Sequence, residues 1–396
     1  MDNPAKPAVA IFADHLLYAS NTFILTQAEA MTRVTPWYVG TRLIRELPPP
    51  QERTIVLNRG GLTGRIEEVA YKALGVSPRM KRRVAQIRPL VVHAHFGPGG
   101  VRAMPLARDV GAPLIVTFHG DDAALSDAGA RASNYSLRAY LRNREDLAKV
   151  AIKIVAVSAF IGKELIRQGF PPENIYLHYI GVDTSVLQAD TTVTRLPVVL
   201  FVGRLVEKKG CEYLIKAMAG VQRQVPRSAL LVIGDGPLRS TLEAQAHGIL
   251  QNCTFLGRQT HESVRRQMNH ASVLAVPSIR TSSGSAEGLP TVIPEALALN
   301  LPVVATTSAG IPEIITDGEN GFLVPERNSA VLEKRIVTLL TDSHKWHHFS
   351  LAGRRRVETD FNVQKQSALL EELYFDISAS RPVESRVPVA PIEYIS

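Results

Sequence analysis

The sequence predicts an α/β protein built as two doubly wound parallel sheets in tandem, facing each other across a cleft. Three observations predict it. Short β-branched runs alternate with amphipathic stretches along most of the 396 residues, the pattern of repeated βαβ units. The strand-like runs are apolar on both faces rather than alternating, as a sheet covered by helices on both sides requires. The series also runs twice, broken by the polar, Thr-rich Ala189–Pro197, whose composition suits a linker. The length agrees, exceeding one hydrophobic core and suiting two domains of ordinary size.

In the first half the strands read as Val9–Phe12, Thr54–Leu57, Leu90–His95, Leu114–Phe118 and Ile154–Val157. Helices fit over Thr26–Met31, Gly100–Arg108 and Gly162–Gln168. The second half repeats the scheme with strands Val198–Val202, Ala229–Ile233, Val273–Val276 and Pro302–Thr306. Its helices are Cys211–Val221, Leu238–His247, His261–Asn269 and Pro294–Ala298. From Val331 to Asp376 the chain reads as mostly helical, closing in the amphipathic Asn362–Phe375. The expected division is a first domain at 1–188, a linker at 189–197, a second domain at 198–360, a C-terminal helix at 361–380 and a tail at 381–396. Right-handed βαβ units put a ligand cleft at the carboxyl ends of both sheets.

With 45% hydrophobic and 21% charged residues, the composition excludes a disordered polymer, a collagen-like rod and a coiled coil. No stretch approaches the ~18 uncharged apolar residues of a membrane span, and Ala8–Ala13 is too short for a signal-peptide core. Two cysteines, Cys211 and Cys253, exclude a disulfide scaffold and suit a reducing, cytoplasmic compartment. The net charge of +8 is uneven: residues 1–188 hold 23 Lys and Arg against 16 Asp and Glu, the remainder 22 against 21. A basic half suits an anionic partner (nucleic acid, phospholipid or a phosphorylated substrate) or is a solvated basic surface.

Two common nucleotide signatures fail. No segment supplies G-x-x-x-x-G-K-[ST], and Gly234–Arg239 and Gly97–Arg102 carry Arg where a dinucleotide fingerprint needs its third glycine. Gly203-Arg-Leu-Val-Glu-Lys-Lys-Gly210 directly follows a strand, so Arg204 and Lys209 sit in a loop at a sheet's carboxyl end, flanked by glycines. A planar fork and a point charge there suit a diphosphate; the run alone equally describes a basic surface loop. Ser282–Leu297 follows the strand Val273–Val276 and leads through Glu287, Gly288 and Leu289 into a helix start, where backbone N–H groups attract anions. Glu295, eight residues after Glu287, can share the helix face that looks back at this loop. Two carboxylates repel a neighbouring phosphate unless they bond something neutral, and sugar hydroxyls are the obvious partner. The plainer description is a capped helix start and a solvated Glu.

His119, in Thr117-Phe-His-Gly-Asp-Asp122, ends another strand at the cleft, where it hydrogen-bonds a sugar, holds a charged oxygen or serves structure alone. One of Asp121 and Asp122 reads as a turn cap, and the pair is not a D-x-D metal motif. His93 and His95 share one face of a strand, a spacing able to hold a divalent metal. No matching cluster follows the other strands, so packing or acceptor contact is expected of both. Without G-x-S-x-G, a serine hydrolase has no anchor.

Taken in order, Thr117–Gly120, Gly203–Gly210, Gly234-Asp-Gly-Pro237, Phe255-Leu-Gly-Arg258, the Glu287/Glu295 pair, Gly310–Ile315 and Asn320–Val324 resemble the retaining glycosyltransferases of family 4. The resemblance runs from about Val9 to Phe375. It implies the GT-B architecture, two Rossmann-like domains facing across a cleft with the C-terminal helix crossing back to the first. In that family's terms, Arg204 and Lys209 bind the donor diphosphate and stabilise its departure. Glu287 meets hydroxyls of the transferred sugar, Glu295 the ribose, and His119 the sugar's reacting face. Gly203, Arg258, Gly288, Leu289 and Thr291 fall to donor binding.

Many members open with a Gly-Gly loop, whereas this chain has Ser20-Asn-Thr-Phe-Ile24, and His93-Ala-His-Phe-Gly-Pro98 further on. Both runs are similar to the bacterial exopolysaccharide branch of colanic-acid and amylovoran type, and they put Ser20, Asn21, Thr22 and His95 on the acceptor side. The implied reaction moves a hexose from a UDP- or GDP-sugar with retention. It passes through a front-face, oxocarbenium-like transition state in which the leaving phosphate takes the acceptor's proton. No metal, cofactor or nucleic acid is implied, and the acceptor is a glycan carried on a lipid. The basic segment Tyr71–Leu90, with a turn at Gly75 and Pro78 and a short helix from Arg79, is expected either to lie on an anionic inner leaflet or to be a solvated helix. Two alternatives stay open: a sugar-nucleotide epimerase of similar two-domain build, which needs no acceptor, and a catalytically silent sugar-nucleotide or glycan-binding protein.

Overall fold

The computed structural model describes residues 6–380, and the expected tail at 381–396 lies outside the described residues. Its first sheet holds β1 (Ala8–Phe12), β2 (His15–Leu16), β3 (Thr35–Leu43), β4 (Thr54–Asn58), β5 (Val92–His95), β6 (Leu114–Phe118), β7 (Lys153–Ala156) and β8 (Ile175–Leu177). The second holds β9 (Val198–Val202), β10 (Ala229–Ile233), β11 (Cys253–Gly257), β12 (Val273–Val276), β13 (Val303–Thr306) and β14 (Phe322–Val324). All pairings in both sheets are parallel. In the first sheet β1 and β2 follow each other along one edge of β3, with β4 along the other. Strands β5 to β8 extend the sheet beyond β1, and the second sheet runs β11-β10-β9-β12-β13-β14.

Each chain segment thus starts mid-sheet, winds to one edge and returns to fill the other. At β1/β5 and β9/β12 the winding reverses, and the loops after those strands separate to leave a crevice beyond their carboxyl ends. The strand cores are runs such as VVLFV and LIVTF, buried on both faces by helices.

The structure extends the expected elements and adds some. The helix expected from Gly162 begins at Ala159, because Ser158 accepts a hydrogen bond from the Ile161 N–H as its N-cap. The helix expected from Thr26 begins at Thr22, and the one expected from Pro294 begins at Val292. Strand β3 was hidden by Pro36, Gly40 and Arg42, and the helix Tyr135–Val150 by its polarity. Among the described residues no helix is long and apolar enough to cross a membrane.

After the helix Ser343–Asp360 the chain crosses back to the first domain. The Val182 N–H donates to Phe361 O at 2.8 Å and the Val363 N–H to Val182 O at 3.0 Å. Gly181 permits this contact, since a Cβ there would lie 2.5 Å from Val363 Cα. The helix Val363–Ala379 then packs Leu370, Leu373, Tyr374 and Ile377 against Val9, Ile11 and Ile24 of the first domain. Buried Glu371 accepts from the backbone N–H groups of Arg33 and Val34 at 2.5 and 3.0 Å. Leu370→Ala should therefore cost about 3 kcal/mol. In urea the loss should appear in the unfolding transition of the first domain, and a shift confined to the second domain would contradict this packing.

Candidate active site

The two domains touch across the crevice. Gly288, in the loop after β12, lies so close to the end of β6 that a Cβ there would fall 1.9 Å from the His119 carbonyl oxygen. Ser158 Oγ donates to the Gly288 carbonyl at 3.0 Å. The loop after β9 ends in the 3₁₀ turn Glu207–Lys209 and then Gly210, whose φ of 62° is left-handed. A Cβ on Gly210 would meet Pro277 O at 1.9 Å, so glycine is needed twice over to hold this turn against the start of the β12 loop.

From that turn Lys209 Nζ reaches Glu287 Oε2 at 3.1 Å. Lys208 Nζ stands 3.5 Å from Glu287 Oε1 and donates to Asp121 Oδ2 at 3.0 Å. Ser285 Oγ donates to the other oxygen of Asp121 at 2.6 Å. Asp121 belongs to the first domain, so the charge network spans the crevice. Burial pushes the Glu287 carboxyl up, but the ammoniums of Lys209 and Lys208 outweigh it and hold the pKa below the ordinary value. Burial likewise pulls Lys208 down, and Glu287 and Asp121 more than restore it. Arg204, in the same loop after β9, is exposed and makes no side-chain hydrogen bond or ion pair among the described residues. The Lys209 stem crosses Gly203, where a Cβ would lie 3.4 Å from it.

On the first-domain side, Asp122 clamps the turn after β6. Its carboxylate accepts from the N–H groups of Gly97, His119 and Gly120 at 3.0, 3.1 and 2.8 Å. His119 Nε2 meets His95 Nδ1 at 3.0 Å, and Phe23 and Phe96 pack against the ring at centroid distances of 4.8 and 4.6 Å. Burial, with a smaller push from His93, takes the His119 pKa down to about 3. The ring is neutral at physiological pH, which favours hydrogen bonding to a sugar over holding a charged oxygen. His95 is buried behind His119 rather than at the crevice surface. His93 bonds Tyr374 OH at 2.5 Å and Thr117 Oγ1 at 2.6 Å, so both its nitrogens are engaged. Among the described residues no group of three or more His, Cys, Asp and Glu side chains is placed to hold a metal ion.

Glu287 and Glu295 do not share one environment as expected. Glu295 lines a cavity of about 590 Å³ between the domains, together with Thr291, Val264, Met268 and, from the first domain, Thr22 and Phe23. Burial pushes the Glu295 carboxyl up to about 7. Of the other expected residues, Leu289 is core, Arg258 is exposed after left-handed Gly257, Asn21 is buried and Ser20 exposed. Lys208 and Asp121 were missed as members of the site. The Lys-Lys pair was the available signal, but sequence does not say which of two adjacent lysines turns inward.

The profile described as Glycosyltransferase Family 4 matches residues 35–186, and that of Glycosyl transferases group 1 matches residues 187–356. WcaL of Salmonella typhimurium, a glycosyltransferase assigned to colanic acid biosynthesis, is 31% identical over 71% of this chain and 69% of its own. A GDP-mannose-dependent monoacylated alpha-(1-6)-phosphatidylinositol monomannoside mannosyltransferase of Corynebacterium glutamicum is 37% identical over 56% of this chain and 62% of its own. The crystal structure of Anabaena Alr3699/HepE in complex with UDP superposes with a TM-score of 0.72 at 20% identity, covering 94% of this chain and all of that one. With both halves matched in order, and with two facing parallel-sheet domains, the chain belongs to glycosyltransferase family 4 and has the GT-B fold.

Proposed function

We propose that the protein transfers a hexose from a UDP- or GDP-hexose to a lipid-linked glycan, with retention at the anomeric carbon, in exopolysaccharide or cell-surface polysaccharide synthesis. It would work in the cytoplasm, peripherally on the inner face of the membrane. The observation that carries this reading is that two of the seven buried side-chain polar atoms without a hydrogen bond among the described residues belong to the crevice. They are Glu287 Oε1 from the second domain and His119 Nδ1 from the first. Lys208 meets that Glu287 oxygen only as an ion pair at 3.5 Å, so the oxygen keeps capacity for a hydrogen bond, and an ionised acceptor and a neutral imidazole in one crevice suit a polyhydroxyl ring. The names of the relatives point the same way: one to colanic acid, one to GDP-mannose and a phosphatidylinositol acceptor, and a structural neighbour to UDP.

The chemistry follows from the charges. As the bond from C1 to the diphosphate stretches, negative charge builds on the leaving phosphate, and Arg204 and Lys209 stabilise it. Ionised Glu287 accepts from sugar hydroxyls and offsets the positive charge growing on the ring. The acceptor oxygen bonds C1 from the face the phosphate leaves, and the departing phosphate oxygen takes its proton, so no separate base is required. His119, its Nε2 held by His95, has Nδ1 left for one hydrogen bond to the sugar. The cavity beside Glu295 and Thr291 has the volume of a nucleoside site, with Glu295 on the ribose. The reading needs neither metal nor cofactor.

Arg204→Ala and Lys209→Ala should each lower kcat by roughly 10²-fold, the usual loss for one transition-state stabiliser. Near-normal turnover in both would remove the diphosphate assignment. Because the ionised form of Glu295 is the better acceptor of ribose hydroxyls, donor affinity should fall as pH drops below about 7. Donor titrations across pH should lose that slope in Glu295→Gln, and an unchanged slope would mean another group titrates. Nucleoside diphosphate release should require acceptor, survive a chelator and yield a product whose anomeric configuration, read by NMR, matches the donor. Release without acceptor, dependence on added divalent metal, or inversion would each overturn the corresponding part.

A further inference from the structure

The helix Leu62–Leu74 is inside out. It buries Gly64, Glu68 and Tyr71. The Glu68 carboxylate is held by Arg42 at 2.9 Å, Asn58 at 2.6 Å and Lys72 at 2.7 Å. The opposite face leaves Leu62, Ile66 and Val69 at 74%, 60% and 67% exposure. At 3.6 residues per turn these three and Ala73 fall within an arc of about 60°. Leu74 and Val76, also exposed, extend the apolar surface around Gly75. A helix on the surface of a globular domain ordinarily turns such a stripe inward.

The surroundings are basic. Residues 59–90 contain eight Lys and Arg against two acids, Glu67 and Glu68. Glu68 is buried in its own network, and Glu67 faces Arg79 at 3.3 Å. Arg59, Arg65, Lys81 and Arg82 are exposed. The Arg83 pKa is lowered by burial and then by Arg59 and Arg79, so these guanidiniums crowd one another. The helix Pro78–Ile87 turns Met80 and Val84 into the core. The apolar partners expected of the basic segment Tyr71–Leu90 therefore come from the preceding helix, and Pro78–Ile87 supplies the charge.

We propose that Leu62–Leu74 and Pro78–Ile87 together form a docking surface for an anionic lipid bilayer. The apolar stripe enters the headgroup region and the flanking cations meet lipid phosphates. Charge decides against a second copy of the chain, which would bring two basic faces together. Lys72 ties the helix to the loop after β1, meeting Asp14 at 3.4 Å and His15 Nε2 at 3.3 Å, and that loop leads to Thr22 in the crevice. Docking would set this rim over the lipid surface; that last consequence rests on the lipid-linked acceptor reading, whereas the docking itself is testable without substrates.

The full chain should float with mixed phosphatidylglycerol–phosphatidylcholine vesicles. Binding should be about tenfold or more weaker to phosphatidylcholine alone and in roughly 0.5 M salt, where screening shortens the reach of the cations. The double variant Ile66→Asp, Val69→Asp should lose about tenfold or more while keeping its thermal unfolding midpoint. Lys81→Glu with Arg82→Glu should lose affinity for the anionic vesicles only. No binding at low salt, undiminished binding by the stripe variant, or self-association abolished by the stripe variant without lipid binding would overturn the proposal. Nucleoside diphosphate release with a water-soluble acceptor should be unaffected in the stripe variant. Its absence in both proteins, with vesicle binding intact, would sink the transferase reading and leave the docking surface standing.

Discussion

A carboxylate taken out of water keeps its charge only if cations come with it, and the crevice is organised around that requirement at Glu287. Lys208 and Lys209 approach from one turn, and the turn holds its place because Gly210 packs without a Cβ against Pro277. Lys208 then extends the pairing to Asp121 of the other domain. A buried charge stripped of one partner is destabilising by several kcal/mol, so these positions depend on each other. The same arrangement resolves an electrostatic difficulty. An isolated carboxylate would repel a diphosphate, whereas here two ammoniums balance Glu287 and Asp121, so the network is neutral and Arg204, unpaired among the described residues, remains as the cation for an anion.

At the crossing Val182, Tyr179 and Leu187 of the first domain pack into the second domain's apolar cluster, and elsewhere the domains meet through polar contacts. Glu313 of the second domain accepts from the N–H groups of Ala159 and Phe160 at 2.7 and 3.0 Å, at the N-terminus of a first-domain helix, where a negative charge also suits the helix dipole. Tyr179 donates to the same carboxylate at 3.2 Å, and Arg280 pairs with Glu164 at 3.1 Å. At the crossing, Val182 pairs with the backbone of Phe361 and Val363.

On the first-domain side, position is set by burial. His119 lies between Phe23 and Phe96 with His95 behind it, so the ring has one orientation and one nitrogen available. Asp122 fixes the backbone beneath it through three N–H groups, although burial pushes its own pKa up to about 6. The crevice thus combines Lys208, Lys209 and Glu287 of the second domain with Asp121 and the neutral, aromatic-walled His119 of the first.

Much of this was legible in the sequence. Runs such as Val198–Val202, apolar at every position, and Leu114–Phe118, apolar at all but Thr117, are accommodated only by a strand covered on both faces, so the two sheets and the loops at their ends followed. Arg204, Lys209, Glu287, Glu295 and His119 followed because each sits just beyond such a strand or on the helix after it. Tertiary structure decided what each touches. The Lys208–Asp121 contact joins residues 87 apart in the chain, and no local period encodes it. Glu287 and Glu295 separated because one loop is drawn to the lysines and the other residue faces a cavity walled partly by the first domain. The stripe on Leu62–Leu74 was ambiguous in the same way. Periodicity reveals that a helix has an apolar face, but which face turns inward depends on the partners waiting there, here Arg42 and Asn58 for Glu68.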